Sequence, residues 1–282
     1  MNIYDAIKKE ANSLGFTRVF FTKPQKIDVG DTGLVADALE KYEWTSCVLL
    51  LVYPYKPFIE GEVVSAYYLA SNESYHKLKT LITSLNEMGI KAKRLNLSAK
   101  KVAEHSHIGA VGKNTLLRLS EYGSRIVLYT VAIDTVAPLE YQEFAPDCGK
   151  CTLCIDACPT NAIGDTPNDY DKTKCIRYYM EDETYPQWVE ENINMYMGCE
   201  RCMFACPHNK KIVTASPSTE VKQAFDCDTI LSGNTENAKQ LVGTNIEQSR
   251  LIRDAKILKN KKLKQKLLRR YLTNQNTVSK MQ

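Results

Sequence analysis

The first half of the chain alternates between segments whose apolar positions follow helical spacing and shorter apolar segments typical of strands. A serine before the segment at 98–109 and a glycine at its end are the usual start and stop signals of a helix. Helices are predicted over residues 3–14, 35–43, 63–88 and 98–109, and strands over residues 17–22, 46–55, 92–97 and 124–136. The alternation predicts an α/β domain, or its α+β variant, at residues 1–140.

The pattern changes after the last predicted strand. A linker rich in proline and acidic residues, 137–147, leads into a cysteine-rich module at 145–212, and a C-terminal segment follows at 213–282. Helical spacing returns at 247–272. Residues 253–282 carry ten Lys or Arg and one acid, although the net charge of the whole chain is only +4. Such a basic helix either presents a solvated face or contacts a polyanion.

The cysteine content limits the class of protein. There are ten cysteines, and eight of them lie between residues 148 and 206. A disulfide framework would require an exported protein, and the amphipathic N-terminus is not a signal peptide. The apolar run at 47–53 is too short to span a bilayer. Clustered thiols in a reducing compartment indicate metal, and a cytoplasmic protein without membrane contact is expected.

The cysteine spacing is that of a bacterial ferredoxin with two clusters. In the stretch CGKCTLCIDACP, residues 148–159, three closely spaced cysteines serve one cluster and the fourth, before proline, serves the other. The stretch CERCMFACP, residues 199–207, lacks the first cysteine of a regular second run, and Cys175 supplies it. The predicted ligands are Cys148, Cys151, Cys154 and Cys206 for the first [4Fe–4S] cluster, and Cys158, Cys175, Cys199 and Cys202 for the second. A pair of zinc sites is the alternative, although zinc does not need the Cys-Pro endings.

The N-terminal domain has no nucleotide-binding motif, because GxGxxG is absent after its first strand and GAVGKNT (109–115) does not satisfy GxxxxGK[ST]. The ordered stretches EHSHIGAVGKNTLL, CGKCTLCIDACPTNAI, KCIRYY and GCERCMFACPHNK instead resemble the epoxyqueuosine reductase family, cobalamin-dependent iron–sulfur oxidoreductases of queuosine biosynthesis in tRNA. The stretches SYHKLKTLI and GTNIEQSRLIRDAKILKN are also similar to that family. The chain resembles a short form of the family without its C-terminal helical-repeat extension.

The resemblance implies an N-terminal domain that binds base-off cobalamin, with an inserted ferredoxin-like module whose two clusters reduce the cobalt. No protein histidine is expected below the metal. His105 and His107 are the alternative source of an axial nitrogen or a metal ligand, but alternate positions near a helix end diverge, and a solvent-facing pair is expected. The implied partners are a low-potential electron donor of flavodoxin or ferredoxin type and tRNA, which the basic helix at 253–270 would contact. The residues expected in the neighbourhood of the cobalamin are Gly109, Gly112 and Lys113.

One departure from the family concerns proton supply. The family carries a catalytic aspartate shortly before the glycine-lysine stretch, but no Asp or Glu occurs from Met88 to Ala103. The candidates for the missing proton donor are Lys93 and Tyr75. Because a lysine is a poor acid at neutral pH, slow or no reduction of epoxyqueuosine is expected. The alternatives are a reductase of another small substrate, an electron-transfer or corrinoid-handling protein that reduces cobalamin for a partner, and a ferredoxin-like subunit without cobalamin.

Overall fold

A computed structural model describes residues 2–24, 42–59, 63–138 and 147–278, with the side chains of the last helix described to residue 265. Nearly all of the helix predicted at 35–43 lies outside the described residues. The other helices and strands predicted for the N-terminal half are present, with ends moved by a few residues. The helix predicted at 63–88 continues through Asn72 and Ser74, whose side chains bond carbonyl oxygens.

A four-stranded sheet forms the centre of the N-terminal domain, with the strand order β1-β2-β6-β3. Every pairing in this sheet is antiparallel. A separate two-stranded ribbon pairs β4 with β5. The strands are β1 (Arg18–Thr22), β2 (Cys47–Pro54), β3 (Ala92–Leu95), β4 (Ala110–Val111), β5 (Leu117–Arg118) and β6 (Ile126–Ile133).

The antiparallel pairing corrects the α/β form of the prediction in favour of its α+β form. Strands β2 and β3 run parallel to each other, as the alternating pattern suggests, and a helix connects them. However, β6 lies between them and is antiparallel to both. The local spacing of apolar residues does not predict that β6 is inserted between β2 and β3, because the strands that pair are far apart in the sequence.

Helices cover both faces of the sheet. The alternating residues of β2 and β6 divide between two apolar clusters, one under the first two helices and one under the third. The long second helix contacts three of the four strands of this sheet. These helices are α1 (Ile3–Ser13), α2 (Ala66–Glu87) and α3 (Ala99–His105).

The cysteine-rich module consists mostly of short helices and turns, and the C-terminal segment packs beside it. The helices of these two regions are α4 (Leu153–Asp156), α5 (Gln187–Asn192), α6 (Arg201–Ala205), α7 (Thr219–Ala224), α8 (Cys227–Leu231), α9 (Glu236–Val242) and α10 (Gln248–Val278). Short 3-10 turns occur at Pro167–Asp169, Lys172–Lys174, Ile176–Tyr179 and Pro207–Asn209. A third apolar cluster joins α7, α8, α9 and the first turns of α10. Of the helices in the described ranges, none combines the length and apolar character that crossing a bilayer requires.

Candidate functional site

The first predicted set of four cysteines surrounds one small cavity. Cys148, Cys151, Cys154 and Cys206 all line it. Burial, and then the neighbouring Cys148, Cys206 and Cys151, raise the pKa of the Cys154 thiol. The structure therefore brings together a residue of the second cysteine run with three residues of the first.

The second predicted set lines a larger cavity, which holds Cys158, Cys175, Cys199 and Cys202. Burial, followed by the charges of Cys199 and Cys175, raises the pKa of the Cys202 thiol to about 12. Four half-buried thiolates that line one cavity would repel one another, and a bound cationic group that bonds to all of them would offset this cost. Cys175 is thus placed where the incomplete second run needs it.

Each cavity brings together four thiols, the number of ligands that one [4Fe–4S] cluster needs. A tetrahedral zinc ion would draw four sulfurs to about 2.3 Å from one centre, whereas a cube of four irons keeps its ligand sulfurs farther apart.

The chain around the cysteines is held by short local bonds. The backbone N–H of Ala162 donates to Cys158 Sγ at 3.3 Å, and Arg201 Nη1 donates to Cys199 Sγ at 3.9 Å. Helix α6 ends at Cys206, whose backbone is extended because Pro207 follows it. The Cys-Pro endings therefore turn the chain so that a cysteine at a helix end points to the opposite thiol set.

Asn114 lies between the two sets of thiols. Its side chain lines both cavities and is fully enclosed by protein. The Asn114 side chain also bonds the Cys202 thiol, and Cys154 of the other set contributes to the raised pKa of Cys202. The two predicted clusters are therefore neighbours, as electron transfer between them requires.

The larger cavity extends from the second thiol set to the N-terminal sheet and is open to solvent. Its volume is about 370 Å³. Apolar side chains of β5 and β6, among them Leu117, Ile126 and Leu128, form one wall, and the cations Lys100 and Arg177 also line it. None of the chain's four histidines, all within the described ranges, lines this cavity, and His105 and His107 are exposed.

A buried ion pair borders the same cavity. Arg125 and Glu200 are 1% and 3% exposed, respectively, and form a salt bridge. Ser65 donates a second hydrogen bond to the Glu200 carboxylate. Tyr55, whose pKa is raised chiefly by burial and next by Glu200, lies beside this pair and lines the cavity. Its hydroxyl is buried and has no hydrogen-bond partner among the described residues.

The glycine-lysine stretch reaches both cavities: Gly112, Lys113 and Asn114 line the smaller one, and Asn114 and Thr115 line the larger one. Gly112 and Lys113 line the cavity of the first thiol set, and Lys113 Nζ donates to the carbonyl oxygen of Cys151 at 3.1 Å. Gly109 has a φ of +71°, and a Cβ there would lie 2.4 Å from the carbonyl oxygen of Arg118. The turn therefore packs onto the cysteine module, and the expectation that these three residues lie near cobalamin stays a prediction.

The two predicted proton donors do not line either cavity. Lys93 is exposed on β3, the strand at one edge of the sheet. Tyr75 lies on α2, where Arg94 and Lys79 lie over its ring at 5.2 Å and 4.5 Å. Within the stretch at 88–103, it is Lys100 and not Lys93 that lines the cavity of the second thiol set.

Much of the basic helix is occupied by contacts within the chain. Arg253 lies over the ring of Tyr185 and bonds Asp254, and Lys261 donates to the carbonyl oxygens of Glu191 and Ile193. The exposed basic side chains described on α10 are Lys256, Lys259, Lys262 and Lys264. Of these, Lys259 pairs with Asp228.

Four polar residues of this site were not found from the sequence: Asn114, Arg118, Arg125 and Glu200. Arg118 and Arg125 are charged residues within or next to apolar strand segments, and both are buried. That placement is the signal that could have identified them, because a fully buried arginine is rare unless it has a partner. Glu200 offered a similar signal as an acid between two predicted ligands, Cys199 and Cys202.

Comparisons with known proteins agree with this geometry. A family model described as a 4Fe-4S double cluster binding domain matches residues 147–209. Epoxyqueuosine reductase of Leadbetterella byssophila is 32% identical over 205 residues, which are 66% of this chain and 66% of that protein. The Bacillus subtilis enzyme is 36% identical over 117 residues, which are 40% of this chain and 30% of that protein.

Solved structures show the same fold over most of the chain. The structure of epoxyqueuosine reductase from Streptococcus thermophilus has a TM-score of 0.72 and 18% identity, and covers 92% of this chain and 81% of that one. An epoxyqueuosine reductase crystallised with an epoxyqueuosine-modified tRNA-Tyr stem loop has a TM-score of 0.67 and 20% identity. The match covers 91% of this chain and 81% of that one.

The fold and the eight thiols define a double-cluster iron–sulfur protein. Within that class, the chain is similar to the epoxyqueuosine reductases in sequence and in fold. The matched segments cover 66%, 39% and 50% of the length of three curated relatives, which is less than two thirds in each case.

Proposed function

We propose that this protein is a cobalamin-dependent iron–sulfur reductase that converts epoxyqueuosine to queuosine in tRNA. One observation carries the proposal: an open cavity lined by tyrosines and cations lies directly against the second set of thiols. An electron acceptor bound there would be next to a cluster. The relatives named epoxyqueuosine reductase support the choice of substrate.

The proposed electron path begins at a low-potential one-electron donor and passes through two [4Fe–4S] clusters. The first cluster is assigned to the thiols of the smaller cavity, and the second to those of the larger cavity. Asn114, which contacts both cavities, separates the two clusters. Because the second thiol set lines the larger cavity, the second cluster is the one that delivers electrons there.

The larger cavity fits cobalamin by its position and its lining. Its apolar wall suits the face of a macrocycle, and Lys100 and Arg177 suit the phosphate and amide groups at its edge. The opening to solvent leaves room for the parts of a ligand that exceed the enclosed 370 Å³. The absence of a lining histidine agrees with base-off binding without an imidazole ligand. When bound, cobalamin supplies a low-potential cobalt centre that takes single electrons and reduces the epoxide.

The protein must also supply protons. Reduction of an epoxide to an alkene consumes two electrons and two protons and releases the oxygen as water. The Tyr55 hydroxyl lines the cavity, is buried and has no partner among the described residues. Burial raises its pKa and so opposes loss of the proton, whereas Arg125 beside it favours the tyrosinate left after transfer. Tyr55 is the proposed donor, in place of Lys93 and Tyr75.

Binding of tRNA is proposed through the exposed basic side chains of α10. A related reductase has been crystallised with a tRNA stem loop. On this chain, Lys256, Lys262 and Lys264 are exposed, and the structure shows no ion pair for them among the described residues. Lysines in this arrangement suit contacts to the phosphate backbone, which position a nucleic acid without selecting its sequence.

The proposal is tested by titrating the anaerobically reconstituted protein with cobalamin. Absorbance should show one base-off cobalamin per chain, and the EPR spectrum of the cobalt(II) form should lack nitrogen splitting. Tyr55→Phe should bind cobalamin equally well but slow conversion of epoxyqueuosine in tRNA by about 10²- to 10⁴-fold. Tyr75→Phe is the matched control and should leave the rate unchanged. Failure to bind cobalamin would contradict the proposed function, and equal rates for both variants would remove only the role of Tyr55.

A further inference from the structure

Arg118 on β5 is a buried cation that forms no salt bridge with any described residue. Its side chain is 1% exposed. None of its three guanidinium nitrogens has a hydrogen-bond partner among the described residues. Arginine stays charged at any ordinary pH, and a buried charge without a partner is strongly unfavourable. The position therefore favours a negatively charged group next to the guanidinium.

The surroundings of Arg118 show where that group would lie. Arg118 lines the cavity of Cys148, Cys151, Cys154 and Cys206. Arg118 does not line the cavity of Cys158, Cys175, Cys199 and Cys202. The guanidinium therefore lies at the first thiol set and not at the second.

The glycine-lysine stretch holds Arg118 in this place. A Cβ at Gly112 would lie 3.2 Å from Arg118 Nε and 2.9 Å from Asn114 Oδ1. Gly109 meets the backbone of the same arginine, because a Cβ there would lie 2.4 Å from its carbonyl oxygen. Both glycines therefore leave room for Arg118, and larger residues would push the guanidinium away from the thiols.

We propose that Arg118 is the electrostatic partner of the first cluster and raises its reduction potential. This inference rests on the cluster assignment made under the proposed function. An oxidised [4Fe–4S] cluster with four thiolates carries a net charge of about −2, and one electron from the donor takes it to about −3. A buried cation stabilises the more negative form, and no proton is needed. The second cluster has a different cation, Arg201, at Cys199.

The consequence is that the two clusters accept electrons in a fixed order. The first electron from the low-potential donor stays on the first cluster, which Arg118 favours. The second cluster, which lines the larger cavity, then holds the second electron and passes it on. The chain can in this way store two electrons, one on each cluster, which is the number that reduction of one epoxide consumes.

The test is an EPR-monitored redox titration in the Cys175→Ala background, in which the first cluster alone should remain. Arg118→Met should lower the midpoint potential of the first cluster by at least about 59 mV, which is a tenfold change in the equilibrium constant of a one-electron reduction. Arg118→Lys, which keeps the charge, should stay within threefold of the parent. Arg201→Met is the matched control and should leave this midpoint unchanged, because Arg201 contacts Cys199 of the second set.

An unchanged midpoint in Arg118→Met would overturn the inference. If Arg118→Met does not retain iron, Arg118→Lys is the deciding variant. A cluster with the parent midpoint potential in Arg118→Lys supports a requirement for positive charge. Loss of the cluster in Arg118→Lys, or a tenfold shift of its reduction equilibrium, overturns the inference. A parent that holds no cluster at all would overturn the ligand assignment and this inference together. If the parent holds four irons but its midpoint potential does not change when Arg118 is replaced, the inference about Arg118 is overturned and the ligand assignment is not.

Discussion

Lys113 donates a hydrogen bond from Nζ to the carbonyl oxygen of Cys151 at 3.1 Å, and this contact fastens the N-terminal domain to the first thiol set. Lys113 is 8% exposed, so its ammonium group depends on this bond and on the nearby thiolates. The stretch GAVGKNT therefore serves the iron–sulfur module, although it lies in the domain that contains the sheet.

Lys113→Ala should make the first cluster labile. Loss of a hydrogen bond from a charged, buried donor costs about 1.5–3 kcal/mol, which corresponds to roughly tenfold or faster iron release. Iron transfer to a chelator under anaerobic conditions measures this rate. Lys150→Ala is the control, because Lys150 is also next to Cys151 but is exposed. Equal rates for the two variants would show that the Lys113 bond does not hold the cluster.

Cys175→Ala should remove the second cluster and leave the first. The native protein should bind about eight irons per chain and the variant about four, because each cluster requires four thiolates. Cys227→Ala is the control: Cys227 is buried, accepts a hydrogen bond from Tyr196 and lines neither cavity. It should retain all the iron. Full iron content in Cys175→Ala would assign the fourth ligand of the second cluster to another residue.

Glu200→Leu should destabilise the protein severely. The substitution leaves Arg125 buried without its carboxylate, and breaking a buried pair in this way costs about 3–5 kcal/mol. Chemical denaturation of the reconstituted protein measures the loss. Glu121→Gln is the control, because Arg18 and Glu121 form an exposed pair at 2.8 Å that contributes less than about 1 kcal/mol. Similar losses for both variants would contradict the structural role of Glu200.

Much of the fold and of the cysteine sites could be predicted from the sequence, because these features depend on the spacing of residues close together in the chain. Apolar spacing located α1, α2 and β6, and cysteine spacing with the two Cys-Pro pairs predicted the two thiol sets that the structure brings together. The insertion of β6 between two parallel strands could not be predicted in the same way, since it depends on contacts distant in sequence.

The wall of the cavity was harder to predict for a related reason. Lys93 is a candidate because of its distance along the chain from the glycine-lysine stretch, and such a distance does not show which side chains reach the cavity. The cavity instead draws Tyr55 from the end of the second strand and Glu200 from the cysteine module, residues 145 positions apart. Burial of Arg118 and Arg125 also became visible only once the sheet and the module were packed together.

The exposed lysines of α10 should contribute to tRNA binding. Replacing Lys256, Lys262 and Lys264 together by Ala should weaken binding and flatten its dependence on salt by about 0.7–0.9 per lost phosphate contact. Fluorescence anisotropy at several salt concentrations measures this slope. The matched control is a triple replacement of Lys8, Lys9 and Lys23, which lie in the N-terminal domain. The same slope in both triple variants would show that the α10 lysines present a solvated face and do not contact the tRNA.

The most direct test of the account is a single turnover of the protein loaded with clusters and cobalamin, using tRNA that contains epoxyqueuosine and a low-potential reductant. The account predicts that queuosine forms in the loaded native protein, and that Cys175→Ala, which lacks the second cluster beside the cavity, forms almost none. Full reduction of bound cobalamin with no change in the tRNA would contradict the account. That result would instead favour a protein that reduces cobalamin for a partner.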